Sequence, residues 1–264
     1  MRGRARVDRL NQDGGSAMLS VPIMELGYWV LRPVVKLLDR AGATPNAVTL
    51  FAVVPACFAA VAGGFGAFAT VCLLGMTSAF CDALDGMLAK YQGVSSRSGQ
   101  ALDSVLDRVT ESVILIGLAV YFRGSVSLLL VALLALFGGY MTSYVSAKAE
   151  VMKVAIPRGQ MRRPERAVYL MSGCAFTPLW ALLMPSAAHP ALRFLPVVVA
   201  MALIGVIATW SALARLHALV VGAALPLEAA DAAADRAPRA ATQELTPIPV
   251  TPEAFAPAKS RGVA

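Results

Sequence analysis

The chain has 264 residues, of which 58% are hydrophobic and 15% charged. A soluble domain of this length carries about 25% charged residues, so the composition excludes an ordinary soluble domain, and it also excludes a disordered chain or a small disulfide scaffold. The 23 Lys and Arg outnumber the 16 Asp and Glu, but they are scattered between apolar runs, and we expect no nucleic-acid partner. The composition is typical of a polytopic membrane protein.

Two segments precede the first long apolar run. Residues 1–20 are basic and then polar, without the apolar region of a secretory signal, and we expect them to be retained and disordered. Residues 21–40 place four charged positions on one helical face and apolar side chains elsewhere. This pattern predicts an amphipathic helix that lies in the membrane interface.

Six apolar segments follow, and each is long enough to cross the hydrocarbon core of a bilayer, which takes about 20 helical residues. They cover approximately residues 47–64, 66–90, 99–122, 125–147, 166–186 and 194–220. The third carries charges in its first turns, which must face other helices or a polar cavity and not lipid. The predicted fold class is all-α, with a six-helix transmembrane domain over residues 41–222 and a disordered Ala/Pro-rich tail over 223–264.

The distribution of Lys and Arg predicts the orientation in the cell membrane. With six spans both termini lie on one side, and that side receives seven basic residues in 1–46 and six more between Lys148 and Arg166. The opposite side receives only Arg123 and Arg193. The positive-inside rule therefore predicts that both termini are cytoplasmic.

Acidic residues are rare in the middle of the chain, and their spacing is regular. Residues 41–149 contain only Asp82, Asp85, Asp103, Asp107 and Glu111. Asp82 and Asp85 share one helical face, and the last three acids recur every four residues on the next helix. Because the loop between the two helices is short, we expect antiparallel neighbours whose acidic faces meet at the cytoplasmic boundary.

These carboxylates need a compensating charge. Each costs about 2.5–3.5 kcal/mol at membrane depth, so four cost on the order of 10 kcal/mol. Lys90 and Arg108 cannot neutralise all four, whereas a divalent cation such as Mg²⁺, Mn²⁺ or Ca²⁺ suits an all-oxygen site. Two alternatives stay open: helix-end carboxylates that form ion pairs among head groups, and the transit site of a membrane cation transporter. Transporter sites typically lie near the midplane between repeated halves, and this chain has no visible repeat.

The stretch from Asp82 to Asp107 resembles the CDP-alcohol phosphatidyltransferase family. It follows the pattern D-x2-D-G-x2-A-R-x8-G-x3-D-x3-D at every spacing, with Lys90 where arginine is usual. The resemblance extends from the amphipathic helix through all six spans. It implies an integral membrane enzyme of phospholipid biosynthesis, usually a homodimer, which transfers a phosphatidyl group from CDP-diacylglycerol to an alcohol and releases CMP.

The resemblance also implies roles for individual residues. Asp82, Asp85 and Asp103 would hold Mg²⁺, or Mn²⁺ in its place, and Asp107 would be a further ligand and the general base. The nucleotide and its diphosphate would be bound by Asn46, Thr49, Gly86, Ala89, Lys90, Ser96 and Gly99. Lysine in place of arginine keeps the charge at position 90 but loses bidentate geometry.

The acceptor is predicted from the basic residues that remain. Arginine binds phosphate well, so Lys148, Arg163, Arg166 and Arg215 are the candidates for binding a phosphorylated alcohol. The run Arg163-Pro164-Glu165-Arg166 resembles the phosphatidylinositol-phosphate synthase branch, which implies inositol phosphate as acceptor, although Ser146 stands where that branch often has a basic residue. Glycerol 3-phosphate, the acceptor of phosphatidylglycerophosphate synthases, is the alternative.

Overall fold

The structure, a computed structural model, describes residues 21–94, 96–157, 161–184 and 190–224, and the only regular secondary structure in these ranges is helical. The predicted disordered segments, 1–20 and most of the tail, lie outside them. The helices are α1 (Val21–Arg40), α2 (Pro45–Gly64), α3 (Phe68–Gln92), α4 (Arg97–Tyr121), α5 (Val126–Val151), α6 (Arg163–Leu183), α7 (Pro190–Arg193) and α8 (Leu195–Ala223), with a 3₁₀ turn at Phe122–Gly124.

The predicted all-α membrane fold is confirmed, and the predicted number of spans is approximate. Among the described residues, five helices are long and apolar enough to cross a membrane: α2, α3, α5, α6 and α8. Helix α4 has 25 residues, which is sufficient length, but its first turns carry the charges that the sequence placed there. Its second half is apolar and buried against the other helices, so α4 belongs to the bundle although its composition differs from that of the other five.

Close helix contacts explain where small residues occur. A Cβ atom on Gly117 of α4 would lie 2.1 Å from the carbonyl oxygen of Ala60 on α2, and a Cβ atom on Gly138 of α5 would lie 2.8 Å from Thr209 Oγ1 on α8. Glycine is therefore required at both crossings. Helix α4 packs mainly on α2 and meets α3 over a smaller area, so the predicted neighbours α3 and α4 are close chiefly where their acidic residues lie.

Helix α1 is docked on the end of α3. Val35 is buried together with Val48 and Leu88, and Gln92 Nε2 donates hydrogen bonds to Asp39 Oδ1 (3.0 Å) and to the Ala43 carbonyl (3.1 Å). The helix occupies the range predicted for the amphipathic segment. Its position in the membrane interface stays a prediction.

Local capping sets where the helices at this end of the bundle begin. The Thr44 hydroxyl accepts a hydrogen bond from the Ala47 amide ahead of α2, and the Ser96 hydroxyl accepts one from the Gly99 amide ahead of α4. Glu165 closes a capping box on α6 by accepting a hydrogen bond of 2.8 Å from the Arg162 amide. Such caps satisfy amide groups that the first helical turn leaves unpaired. The caps therefore fix where the first turns of α2, α4 and α6 begin.

Candidate active site

Three aspartates converge where the end of α3 meets the start of α4. Carboxylate oxygens of Asp82, Asp85 and Asp103 all lie within 4.8 Å of one another. The spacing of the acids on the two helices brings them together, since Asp82 and Asp85 are one turn apart on α3 and Asp103 lies in the second turn of α4. The structure thus joins the three residues that the sequence predicted as principal metal ligands.

The arrangement of these groups fits a divalent cation. Asp85 is 5% exposed, and its Oδ2 atom is buried without a hydrogen-bond partner among the described residues. A buried carboxylate oxygen without a partner is costly, and two further carboxylates beside it add like-charge repulsion. A hard cation bound by all three would remove both costs. The chemistry of the donors therefore suits a divalent metal ion.

Asp107 lies beside this group and is paired with an arginine. Arg163 Nη1 is 2.5 Å from Asp107 Oδ2 and 2.9 Å from Asp82 Oδ2. Arg163 thus bridges Asp82 and Asp107, the first and the fourth carboxylate of the predicted set, across α3, α4 and α6. Asp82, Asp107 and Arg163 also line a shallow open cleft. The predicted ligand Asp107 is close to the other three aspartates, but its nearest charge is a guanidinium.

The predicted nucleotide-binding residues lie around the same end of the bundle. A Cβ atom on Gly99 would be 3.1 Å from Ser96 Oγ and 3.2 Å from Asn46 Oδ1, so these three residues from α4 and α2 are adjacent. Thr49 is buried beside Asp85. Gly86 is exposed, and a Cβ atom there would meet nothing within 4 Å. Close helix packing therefore does not explain this glycine.

Two other predicted nucleotide-binding residues follow Gly86 on α3. Ala89 is half-buried and Lys90 is exposed in the last turn of the helix. All seven predicted residues are thus placed at one end of the bundle, and their assignment to the nucleotide stays a prediction.

The predicted acceptor-binding residues occupy different environments. Arg166 is buried, and its guanidinium is bound side-on by Glu111, with Nε–Oε1 at 2.5 Å and Nη2–Oε2 at 2.7 Å. Arg163 contacts the aspartates, as described above. Lys148 is exposed near the end of α5.

Arg215 on α8 combines a half-buried position with an unused hydrogen-bond donor. Its Nη1 atom donates to Ser146 Oγ (2.6 Å) and to the Thr142 carbonyl (3.3 Å) on α5. Its Nε atom is buried and without a partner in the described part of the chain. The charges of Arg162 and Arg166 are near enough to act on it. The helices α5, α6 and α8 thus surround a positively charged region next to the acidic group.

Sequence reasoning left Glu111 without a role, whereas the structure makes it the partner of Arg166. The signal was present: Glu111 continues the four-residue spacing of Asp103 and Asp107 on α4, and Arg163 and Arg166 are three positions apart on α6. If α4 and α6 are known to be neighbours, the acidic residues one turn apart on α4 and the arginines one turn apart on α6 predict two successive ion pairs. The sequence did not reveal that α4 and α6 meet.

Comparisons with known proteins agree with this fold and site. The family model of CDP-alcohol phosphatidyltransferases matches residues 43–211. The phosphatidylinositol phosphate synthase of Mycolicibacterium smegmatis is 33% identical over 210 residues, which cover 76% of this chain and 89% of that protein. The archaetidylinositol phosphate synthase of Methanothermobacter thermautotrophicus is 34% identical over 147 residues, covering 54% and 74% of the two chains.

Solved structures share the fold as well. The phosphatidylinositol phosphate synthase of Mycobacterium tuberculosis with CDP-DAG bound has a TM-score of 0.64 at 24% identity, covering 74% of this chain and 96% of that one. Another structure of that protein, in complex with manganese and citrate, has the same TM-score and identity and is covered to 92%.

The helical bundle and its acidic group define a multi-pass membrane protein that can hold a divalent metal ion. The family match then makes the assignment specific: the chain belongs to the CDP-alcohol phosphatidyltransferase family. It is a metal-binding transferase of phospholipid biosynthesis.

Proposed function

We propose that this enzyme transfers the phosphatidyl group of CDP-diacylglycerol to inositol phosphate and releases CMP. The observation that carries the proposal is the convergence of Asp82, Asp85 and Asp103 beside Asp107, within a signature of the phosphatidyltransferase family. The acceptor is inferred from the names of the relatives, two of which are synthases of inositol phosphate lipids with different lipid parts. The positively charged region around Arg215 supports a phosphorylated acceptor.

The metal ion proposed for the site is Mg²⁺, with Mn²⁺ as a substitute. Asp82, Asp85 and Asp103 would hold it, with Asp107 as a further ligand. When bound, such an ion neutralises charge on the diphosphate and on the leaving oxygen.

Asp107 is proposed to act as the general base. An alcohol is a poor nucleophile until its proton is removed, and a carboxylate within hydrogen-bond reach can accept that proton. As the acceptor oxygen forms a bond to the phosphorus that carries the diacylglycerol, the bond between this phosphorus and the oxygen bridging to CMP breaks. The acceptor proton passes to Asp107 and the electron pair leaves with CMP. Arg163 holds Asp107 in position by its 2.5 Å contact.

The nucleotide is proposed to lie along the exposed side of α3. Gly86 and Ala89 offer it a surface without bulky side chains, and Lys90 supplies a positive charge for the diphosphate. Asn46, Thr49, Ser96 and Gly99 would complete the site from α2 and α4. This end of the bundle is proposed to face the cytoplasm, so that CMP leaves to water while the acyl chains stay in lipid.

The acceptor phosphate is proposed to bind between Arg163, Arg166, Arg215 and Lys148. The unpaired Nε atom of Arg215 supports this placement, since a buried guanidinium nitrogen without a partner is readily satisfied by an anion. We further propose that the enzyme is a homodimer and that anionic head groups surround its basic cytoplasmic surface.

An acceptor panel tests the proposal. The purified protein in lipid nanodiscs is given CDP-diacylglycerol, Mg²⁺ and one of inositol phosphate, glycerol 3-phosphate, inositol or serine, and CMP is measured. We expect CMP only with inositol phosphate. If CMP is released only with glycerol 3-phosphate, the proposed acceptor is wrong but the proposed type of reaction stands. Cation flux without CMP release would overturn the enzymatic assignment.

A further inference from the structure

Glu111 is the one acidic residue of α3 and α4 that the proposed reaction does not use. It lies one turn beyond Asp107 on α4, and both of its carboxylate oxygens accept hydrogen bonds from Arg166 on α6. The Arg166 side chain is 3% exposed and that of Glu111 is 19% exposed. A bidentate pair with this degree of burial fixes the orientation of the guanidinium as well as its charge.

A glycine on α5 leaves space for the Glu111–Arg166 pair. Gly139 on α5 faces both partners, and a Cβ atom there would lie 3.2 Å from Glu111 Oε1 and 3.4 Å from Arg166 Nε. A larger residue at position 139 would therefore press on the ion pair. Three helices, α4, α5 and α6, thus contribute to holding one guanidinium in one place.

The geometry of the pair determines which part of Arg166 stays available. Glu111 occupies the edge formed by Nε and Nη2. The second edge of the guanidinium, formed by Nη1 and Nη2, retains donors, and its only described contact is a long one of 3.4 Å from Nη1 to the Met161 carbonyl. A guanidinium can bind one anion on each edge.

The second edge belongs to a region that contains more positive than negative charge. Arg162 and Arg166 act electrostatically on Arg215, and Glu111 is the carboxylate bound to Arg166. Without Glu111, Arg166 would be a buried cation beside other cations and would be expected to turn away from them. The carboxylate therefore keeps a positive group in a place where its neighbours repel it.

We propose that Glu111 is a positioning residue for acceptor recognition, which holds Arg166 so that its Nη1–Nη2 edge meets the phosphate of the acceptor. The inference rests on the proposed function, because it requires a phosphorylated alcohol as substrate. Glu111 itself touches neither substrate nor metal. Its removal should therefore affect the acceptor and leave CDP-diacylglycerol and the metal ion unaffected.

Glu111→Gln tests this, with Glu150→Gln as the matched control because Glu150 is an exposed acid in the last turn of α5. The KM is measured for the phosphorylated acceptor that the wild-type enzyme uses. For Glu111→Gln we expect a rise of about 10- to 100-fold, the range seen when a partner that orients a metal ligand is removed. The KM for CDP-diacylglycerol and the affinity for Mn²⁺, followed by electron paramagnetic resonance, should not change. Glu150→Gln should match the wild type throughout.

Three further variants keep the inference falsifiable if Glu111→Gln does not fold. Glu111→Asp retains the charge and should recover part of the acceptor affinity. Glu111→Gln combined with Arg166→Gln should lose no more acceptor affinity than Arg166→Gln alone, since the two residues act as a unit. An unchanged acceptor KM in a folded Glu111 variant would overturn the inference, and so would equal losses for both substrates and Mn²⁺. A wild-type enzyme that prefers glycerol 3-phosphate would instead contradict only the acceptor named above.

Discussion

Asp107 lies beside the group formed by the other three aspartates and is not a member of it. Asp82, Asp85 and Asp103 face one another, and Arg163 contacts Asp107 at 2.5 Å and also Asp82 at 2.9 Å. Asp107 is oriented by Arg163, and the group of three is complete without it. Asp107 can therefore take up a proton while the other three aspartates continue to hold the metal ion. This division supports the roles proposed for the four residues.

The substitution Asp107→Asn should separate these roles. Asparagine keeps an oxygen that can accept from Arg163 but cannot take the acceptor's proton, so CMP release should fall by about 10²- to 10⁴-fold. The other three aspartates should still bind Mn²⁺, followed by electron paramagnetic resonance in the same preparation. Normal turnover in Asp107→Asn would exclude it as the base, and Glu150→Gln is the control for loss of a carboxylate elsewhere.

Asp85→Asn should act on the metal ion instead. Asp85 is the buried member of the group and has an oxygen without a partner among the described residues, so its charge has little screening from water. We expect weaker Mn²⁺ binding and a higher Mg²⁺ concentration for half-maximal CMP release. Identical metal titrations for the variant and the wild type would show that Asp85 is not a ligand.

At the level of elements, the site depends on how closely α4 approaches α2. Gly117 permits this contact, because a Cβ atom there would lie 2.1 Å from the Ala60 carbonyl oxygen. Since Asp103 and Asp107 are carried on the same helix, a shift of α4 would move half of the acidic group relative to α3. Helix packing and metal binding are therefore linked.

Gly117→Ala should separate α2 from α4, and Gly64→Ala is the matched control. A Cβ atom on Gly64 would meet its nearest neighbour, Val120, at an ordinary 3.8 Å. Overpacking of a tight contact costs about 1–3 kcal/mol, so thermal unfolding in detergent should occur at a lower temperature for Gly117→Ala only. Mn²⁺ affinity should fall in the same variant. Equal unfolding temperatures for the two variants would contradict the close approach.

The sequence predicted most elements because their signals are local. Apolar length indicated the helices, and the regular spacing from Asp82 to Asp107 indicated which carboxylates share a face. The contact between α4 and α6 depends on residues distant in sequence, so the Glu111–Arg166 pair could not be derived from periodicity. For the same reason Arg163 was assigned to the acceptor alone, although its guanidinium bridges Asp82 and Asp107.

At the scale of the whole molecule, the acidic group and the basic region lie at one end of a membrane bundle. The positive-inside rule predicts that the basic residues of 1–46 and 148–166 belong to this end too. The same basic surface would then both set the orientation of the protein in the membrane and bind anionic substrates. This arrangement suits an enzyme whose lipid substrate stays in the bilayer while its polar substrate arrives from water.

Reporter fusions test the proposed orientation. Green fluorescent protein fused after residue 264 should fluoresce, and alkaline phosphatase at the same position should be inactive, because the C-terminus is proposed to be cytoplasmic. Fusion after Gly124, between α4 and α5, should give the opposite pattern. Active phosphatase at the C-terminus would place the acidic group on the outer side and exclude the proposed topology.

The identity of the lipid product tests the central claim most directly. The purified enzyme in nanodiscs is incubated with CDP-diacylglycerol, inositol phosphate and Mg²⁺, and the lipids are analysed by mass spectrometry. The predicted product is phosphatidylinositol phosphate, formed in equal amount with CMP and absent after chelation of the metal. A different phosphatidyl lipid, or no new lipid while the metal is bound, would contradict it.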